Sequence, residues 1–228
     1  LLELGACPNE AAEAHLEDLF QAPVFGEQVA ARLDPSLERH DRIVAHSEVD
    51  DVVLVTKAVG IEGTAIIASE LAGDLRGKGC SADFIERARM FLHDPGISVY
   101  TDALIAADSN LVHAMTDATE GGLASALHEM ATAAGVGFLI ESENVPVYAE
   151  TERICAEYDL DPLGLIASGM LIMTVPASNS DELCNKMLAE GVQCTAIGIV
   201  TDAAQGLQLS RGGKCSDLPY YAVDELTK

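Results

Sequence analysis

The chain has 228 residues, which is enough for one large domain or two small ones and excludes a disulfide-stapled miniprotein. Apolar residues make up 49% of it and its mean hydropathy is +0.19, which excludes a mainly disordered chain. Thirteen basic residues against 37 acidic ones give a net charge of −24, which repels phosphate backbones and anionic lipid. Nucleic acid and membrane surfaces are therefore excluded as expected partners.

The sequence predicts a cytoplasmic protein. No stretch approaches the roughly 20 apolar residues of a membrane span, and residues 1–13 lack the basic-then-apolar order of a signal peptide. The six cysteines are scattered without a C-x-x-C pair, which indicates reduced, partly buried thiols rather than a disulfide framework or a zinc site. The acidity is typical either of a high-salt cytoplasm or of an ordinary acidic surface.

Composition divides the chain near residue 50. Residues 1–50 have a helical composition punctuated by Pro23 and Pro35, which predicts a helical N-terminal segment. After it, β-branched runs predict strands at 52–55, 111–116, 136–141, 170–175 and 193–200, with a hairpin partner at 206–209. Helices are predicted at 64–71, 81–92, 98–108, 121–134, 148–158 and 179–190, with a short one at 161–169. The order predicts an α/β (α+β) domain over 51–210, a mixed β-sheet covered by helices, and a tail at 211–228.

One polar turn has the features of an anion site. In 112–124 (VHAMTDATEGGLA) a predicted strand stops at a turn, and Gly121 and Gly122 open an amphipathic helix. The first turn of a helix leaves backbone N–H groups free, and glycines let a ligand approach them closely. The alternative is that Asp117 or Thr119 only caps the helix and the glycines only make a tight turn.

A second turn of the same kind follows the first predicted strand. Lys57 lies at the end of that strand, where its ammonium could reach a phosphate as a point charge. Gly60 and Gly63 then lead into the next helix. A solvated lysine beside a turn is the ordinary alternative, but two such turns in one chain favour a shared anionic site.

Two histidine motifs are weaker. His128 and Glu129 begin the zincin pattern H-E-x-x-H, but Thr132 stands where the second histidine should be, so a surface or capping role is favoured. His113, on a predicted strand just before the polar turn, could contact a ligand or simply pack. The sequence predicts no metal site.

Four runs, taken together and in order, resemble the aminoimidazole ribonucleotide synthetase (AIR synthase)-related superfamily. They are 57–70 (KAVGIEGTAIIASE), 117–131 (DATEGGLASALHEMA), 136–146 (VGFLIESENVP) and 161–175 (DPLGLIASGMLIMTV). The resemblance covers roughly residues 50–202 and is to the C-terminal domain, as it occurs in AIR synthase-related members and in the hydrogenase-maturation dehydratases. A lone D-x-T-x-G-G turn would not be specific.

The resemblance implies an ATP-dependent enzyme that activates an amide-like or phosphorylated small molecule, with Mg²⁺ held by an N-terminal nucleotide domain and two such domains pairing in a homodimer. It implies catalytic roles for Asp117 and Glu120, which would contact metal-bound phosphate or substrate. The residues implied to hold phosphate or substrate oxygens are Thr119, Gly121, Gly122, Lys57, Gly60 and Gly63.

The chain departs from that family pattern at both ends. Only 51 residues precede Val52, far fewer than the nucleotide domain needs, and the chain ends without the terminal cysteine of the hydrogenase-maturation relatives. We therefore expect a fragment, a divergent short form or one half of a split enzyme, whose missing domain a partner supplies. The alternative function is a non-catalytic binding or assembly module that keeps the C-terminal fold.

Overall fold

The computed structural model of the protein describes residues 47–228, so the predicted helical segment 1–50 lies outside the described residues apart from its last positions. Seven strands form one sheet in the order β2-β4-β1-β5-β3-β6-β7. Their bounds are β1 Val52–Thr56, β2 Ala114–Ala118, β3 Gly137–Glu141, β4 Met170–Val175, β5 Cys194–Thr201, β6 Leu207–Arg211 and β7 Lys214–Asp217. Among these residues no helix is long and apolar enough to cross a membrane.

Strand β1 lies in the middle of the sheet and pairs antiparallel with both β4 and β5. The pairing of β3 with β6 is parallel, and the remaining pairings are antiparallel. The predicted hairpin partner at 206–209 is β6, but its antiparallel partner is the following strand β7 and not β5. Gly212 and Gly213, both with positive φ, make the tight turn between them.

Helices cover this mixed sheet, as the sequence predicted, and the structure places them on both of its faces. Their bounds are α1 Ile61–Glu70, α2 Ala72–Gly77, α3 Ala82–Met90, α4 Tyr100–Ser109, α5 Gly122–Ala134, α6 Ala149–Tyr158 and α7 Ser180–Ala189. Successive side chains of a strand point to opposite faces. In β4, Met170 and Ile172 therefore pack with α5, while Leu171 and Met173 pack with α4 and α7. A third apolar cluster joins α1, α2, α3 and α6 around Leu165.

Several predicted boundaries differ from the structure, and three of them lie beside residues singled out in the sequence. Strand β2 runs to Ala118 rather than 116, because each residue from Ala114 to Ala118 pairs with β4. Helix α1 begins at Ile61 rather than 64, directly after Gly60 in the left-handed conformation. The short helix expected at 161–169 is only a 3₁₀ turn at Pro162–Gly164, capped by the Asp161 carboxylate.

Candidate functional site

The turn between β2 and α5 faces an open cavity of about 730 Å³. Thr119, Glu120 and Gly121 line it from the turn, and Ser125 and His128 line it from α5. Gly121 is the N-cap of α5 and has φ 73°, so the cap residue has no side chain that could bond the next amides of the helix. Neither Asp117 nor Thr119 therefore caps α5, which leaves the positive end of the helix dipole directed at the cavity.

The C-terminal segment of the chain forms the opposite wall of this cavity. The backbone N–H of Gly121 donates a 2.7 Å hydrogen bond to Oδ2 of Asp224. Nε2 of His128 lies 3.2 Å from the carbonyl oxygen of Pro219, and the His128 ring meets the edge of Tyr220 with centroids 5.2 Å apart. A carboxylate of the chain itself thus occupies the position that the sequence predicted for a ligand anion.

Gly122 approaches the protein's own backbone. A Cβ at this residue would lie 2.6 Å from the carbonyl oxygen of Leu165 and 2.7 Å from that of Leu163. Its φ of 60° also lies in the left-handed region. The glycine is needed for packing between α5 and the 163–167 segment, so a bulky residue here would disturb the fold and not merely crowd a ligand.

Asp117 lies on β2, on the opposite face of the sheet from α5. It pairs with Leu171 and shares its face with Met115, and both of these residues pack with α4. Burial raises the pKa of the Asp117 carboxyl, although a backbone hydrogen bond opposes the shift. Asp117 and the Thr119–Gly121 turn therefore do not converge on one cavity among the described residues.

Lys57 is a buried cation with three protein acceptors. Its Nζ donates to the carbonyl oxygens of Ser98 (2.7 Å) and Gly169 (3.0 Å) and lies 3.2 Å from Oδ2 of Asp102. The residue has φ 56°, which turns the chain sharply at the end of β1. Lys57 and Asp102 lie at the wall of a second cavity, of about 740 Å³. Any ligand at Lys57 must replace one of its present partners.

Gly60 and Gly63 are buried against Leu165 rather than exposed to a cavity. A Cβ on Gly63 would lie 2.5 Å from Cγ of Leu165, and one on Gly60 would lie 3.1 Å from its Cδ2. Gly122 lies against the carbonyl groups of the same 163–167 segment, so both glycine turns pack on this segment. They do not form opposite walls of one open cleft in the described part of the chain.

Sequence reasoning missed three acidic residues that the structure brings forward. Asp224 was passed over because it belongs to the predicted tail. Asp102 was passed over because it lies within a predicted helix, where an acidic residue is common. Glu62, between the two singled-out glycines, is buried, and its Oε2 has no hydrogen-bond partner among the described residues. Glu62 could have been noticed in the sequence, because it is a charged residue in the first turn of a helix whose neighbouring residues are mostly apolar.

The donor atoms fit an anion better than they fit a metal. Within residues 47–228, no group of three histidine, cysteine, aspartate or glutamate side chains comes together to hold an ion. His113 is engaged with the Asp51 carboxylate at 2.9 Å. The helix terminus at Gly121 does hold a carboxylate, and phosphate oxygens have the same preference for backbone N–H groups. The helix terminus at Gly121 thus has the backbone donors that phosphate oxygens prefer, and the described residues do not by themselves assemble a set of three metal ligands.

Known proteins similar to the chain include the carbamoyl dehydratase HypE of Rhodobacter capsulatus, which is 33% identical over 150 residues, or 65% of this chain and 41% of that protein. The crystal structure of Escherichia coli HypE matches with a TM-score of 0.61 at 21% identity, covering 78% of this chain and 52% of that one. A structure of the hydrogenase maturation protein HypE in complex with ATP matches with a TM-score of 0.56 at 18% identity, covering 79% and 54%. These structural matches show a shared fold.

The chain spans less than half the length of the curated relatives it matches. A family model described as AIR synthase related protein, C-terminal domain, matches residues 48–209, which include strands β1 to β5, the start of β6 and both glycine turns. The resemblance seen in the four sequence runs is confirmed. The chain belongs to the AIR synthase-related family and carries its C-terminal domain.

Proposed function

We propose that the chain is an ATP-dependent enzyme, or the C-terminal half of one, that activates an amide-like or phosphorylated small molecule. The observation that carries this proposal is its 33% identity over 150 residues with a carbamoyl dehydratase. A carbamoyl group is amide-like, and its dehydration requires activation of a carbonyl oxygen. The HypE structure in complex with ATP supports ATP as the cosubstrate.

In this proposal the Gly121 turn holds oxygens of the phosphate or substrate. Thr119, Glu120 and Gly121 already face the 730 Å³ cavity, and the α5 dipole favours negative charge there. Asp224 would leave the Gly121 N–H when a ligand arrives, while Gly122 holds the turn against the 163–167 segment. These residues would contribute positioning and charge stabilisation, which is most of what phosphoryl transfer requires from a protein.

Four further residues have indirect roles. Lys57 would exchange one backbone acceptor for a ligand oxygen, and Gly60 and Gly63 would keep its turn packed on Leu165. Asp117 lies on β2, which is an edge strand of the sheet, so a second domain can approach it from outside. We propose that the metal ligands come from that domain, supplied by a longer form of the protein, a partner or a second copy in a homodimer.

A non-catalytic binding or assembly module is the second candidate. The observation that favours it is the Asp224 carboxylate bound at Gly121, which blocks the anion position in the described residues. In such a module the fold would persist while the turn no longer exchanges ligands. The two candidates differ in whether the complete native protein uses ATP.

The test uses the protein isolated from its native cell, with any partner retained. We would determine its intact mass and supply Mg-ATP with a peptide that carries an S-carbamoyl cysteine, then follow phosphate release and loss of water from the peptide. Glu120→Gln should reduce both at least tenfold, about 1.4 kcal/mol in the transition state, and Glu182→Gln, on the exposed side of α7, should not. Absence of ATP binding and turnover in the native assembly would favour the module.

A further inference from the structure

Two cysteines outside the candidate site lie in contact with each other. Cys184 is on α7 and Cys194 is the first residue of β5, and their Sγ atoms are 3.0 Å apart. A disulfide bond is about 2.0 Å long, so a movement of roughly 1 Å would bring the two sulfurs to bonding distance. Both residues are half-buried, so a small reagent can reach them from solvent.

The two thiols are not equivalent. The two sulfurs share a hydrogen bond. This contact lowers the pKa of Cys184 against the opposing effects of burial and Asp181. The same contact raises the pKa of Cys194, and burial and the nearby Asp102 carboxylate raise it further. Because the thiolate is the nucleophile, we expect Cys184 to attack the oxidising reagent first. Cys194 then attacks the mixed disulfide that forms on Cys184.

The segment between the two cysteines forms a wall of the 740 Å³ cavity. Gly191, Val192 and Gln193 line it together with Lys57 and Asp102. The carbonyl oxygen of Gln193 also accepts a 3.0 Å hydrogen bond from the backbone N–H of Lys57. The dithiol therefore lies directly behind this wall and next to the buried ion pair.

We propose that Cys184 and Cys194 form a redox-active dithiol that a small organic disulfide oxidises to an intrachain disulfide, which clamps the 185–193 wall of this cavity. The Cys184 thiolate attacks one sulfur of the reagent, its S–S bond breaks, and one small thiolate leaves. Cys194 then attacks the Cys184 sulfur, forms the intrachain bond and releases the second small thiolate. Two protein thiols are oxidised, one disulfide is reduced to two thiols, and the cysteine protons end on the leaving groups.

The test treats the full chain with hydroxyethyl disulfide, an uncharged reagent that the net charge of −24 does not repel. The count of free thiols should fall by two from the six in the sequence, with an intact-mass loss of about 2 Da and no retained adduct at either residue. Peptide mapping should find Cys184 linked to Cys194. Dithiothreitol should reverse the change, and hydrogen exchange of 185–193 should be slower in the oxidised form.

Variants separate the two roles. Cys194→Ser should trap the mixed disulfide on Cys184, while Cys184→Ser should leave Cys194 reacting at least tenfold more slowly than Cys184 does in the trap variant. Cys215→Ser, which removes an exposed thiol on β7, should still form the link. Peptide mapping of the oxidised wild-type protein is sufficient to overturn the proposal. It does so if Cys215 or other thiols are modified while Cys184 and Cys194 remain unlinked. Equal trapping on both residues overturns the assigned order of attack.

Discussion

At the scale of single residues, the buried cation Lys57 leads to a prediction about the stability of the fold. Lys57→Met leaves the Asp102 carboxylate without its charged partner in a site where both side chains are almost fully buried. We expect the free energy of unfolding to fall by about 3 kcal/mol, since breaking a buried pair leaves an uncompensated charge. Urea unfolding followed by circular dichroism measures the change.

The matched control is Lys186→Met on α7. Lys186 pairs with Glu182 at 3.1 Å, but both side chains are largely exposed, so the expected loss is at most about 0.5 kcal/mol. Adding Asp102→Asn to Lys57→Met should recover part of the stability, because it removes the unpaired charge. If the two lysine variants unfold at the same urea concentration, the Lys57 ammonium is not held in the folded state and is free for a ligand.

Asp117 should make stability depend on pH. Burial raises the pKa of its carboxyl in the folded protein above the ordinary 3.8, so the stability it contributes is complete below that value and is lost as pH rises through the folded pKa. Asp117→Asn should therefore raise the thermal unfolding midpoint at pH about 7, and the gain should vanish as pH falls toward about 4. A variant less stable than wild type at neutral pH would mean that the ionised carboxylate has a structural partner.

At the scale of elements, the two ends of α5 supply a matched pair of glycines. Gly122 and Gly135 both have positive φ, but a Cβ would meet two carbonyl oxygens at Gly122 and nothing within 4 Å at Gly135. We expect Gly135→Ala to cost about 1 kcal/mol from backbone strain alone. Gly122→Ala should cost about 3 kcal/mol, because the backbone of the 163–167 segment must shift. Equal losses in urea unfolding would show that this segment yields easily.

The elements themselves were largely predictable from the sequence. The short apolar run 170–175 located β4, because this strand is buried on both faces of the sheet. The 3.6-residue period in 121–134 located α5, because one face of that helix is buried. The features that could not be predicted depend on contacts between residues far apart in the sequence. The last residues of β2 are decided by pairing with β4, and the contact between Gly121 and Asp224 joins residues that are 103 apart in the sequence. No local pattern records such contacts.

At the scale of the whole molecule, the C-terminal segment closes over α5. Besides Asp224, the buried Glu225 accepts from the backbone N–H of Asp161, and Tyr221 packs on Gly164. Asp224→Ala should make the amides of 218–228 exchange hydrogen roughly tenfold faster or more, since a hydrogen bond to a charged group contributes about 1.5–3 kcal/mol. The exchange of β1 and β4 should be unchanged.

Asp202→Ala is the control for this segment. Asp202, like Asp224, caps a 3₁₀ turn with its carboxylate, but it lies after β5. Removing the Asp202 carboxylate should speed hydrogen exchange only at residues 203–205. If Asp224→Ala leaves the exchange of 218–228 as it was, Glu225 and Tyr221 hold the segment, and the Gly121 N–H is open to an anion without any movement of the tail.

The central position of β1 also bears on how the protein is made. This strand is the first to leave the ribosome among residues 47–228, yet β4 and β5, which cover both of its edges, begin at residues 170 and 194. Val53, Leu54 and Val55 must therefore stay unpaired while more than a hundred further residues are synthesised, and loops of that length close slowly. A nascent chain halted before β4 would leave both edges of β1 unpaired, and chaperones that bind extended apolar segments could bind the chain during that interval.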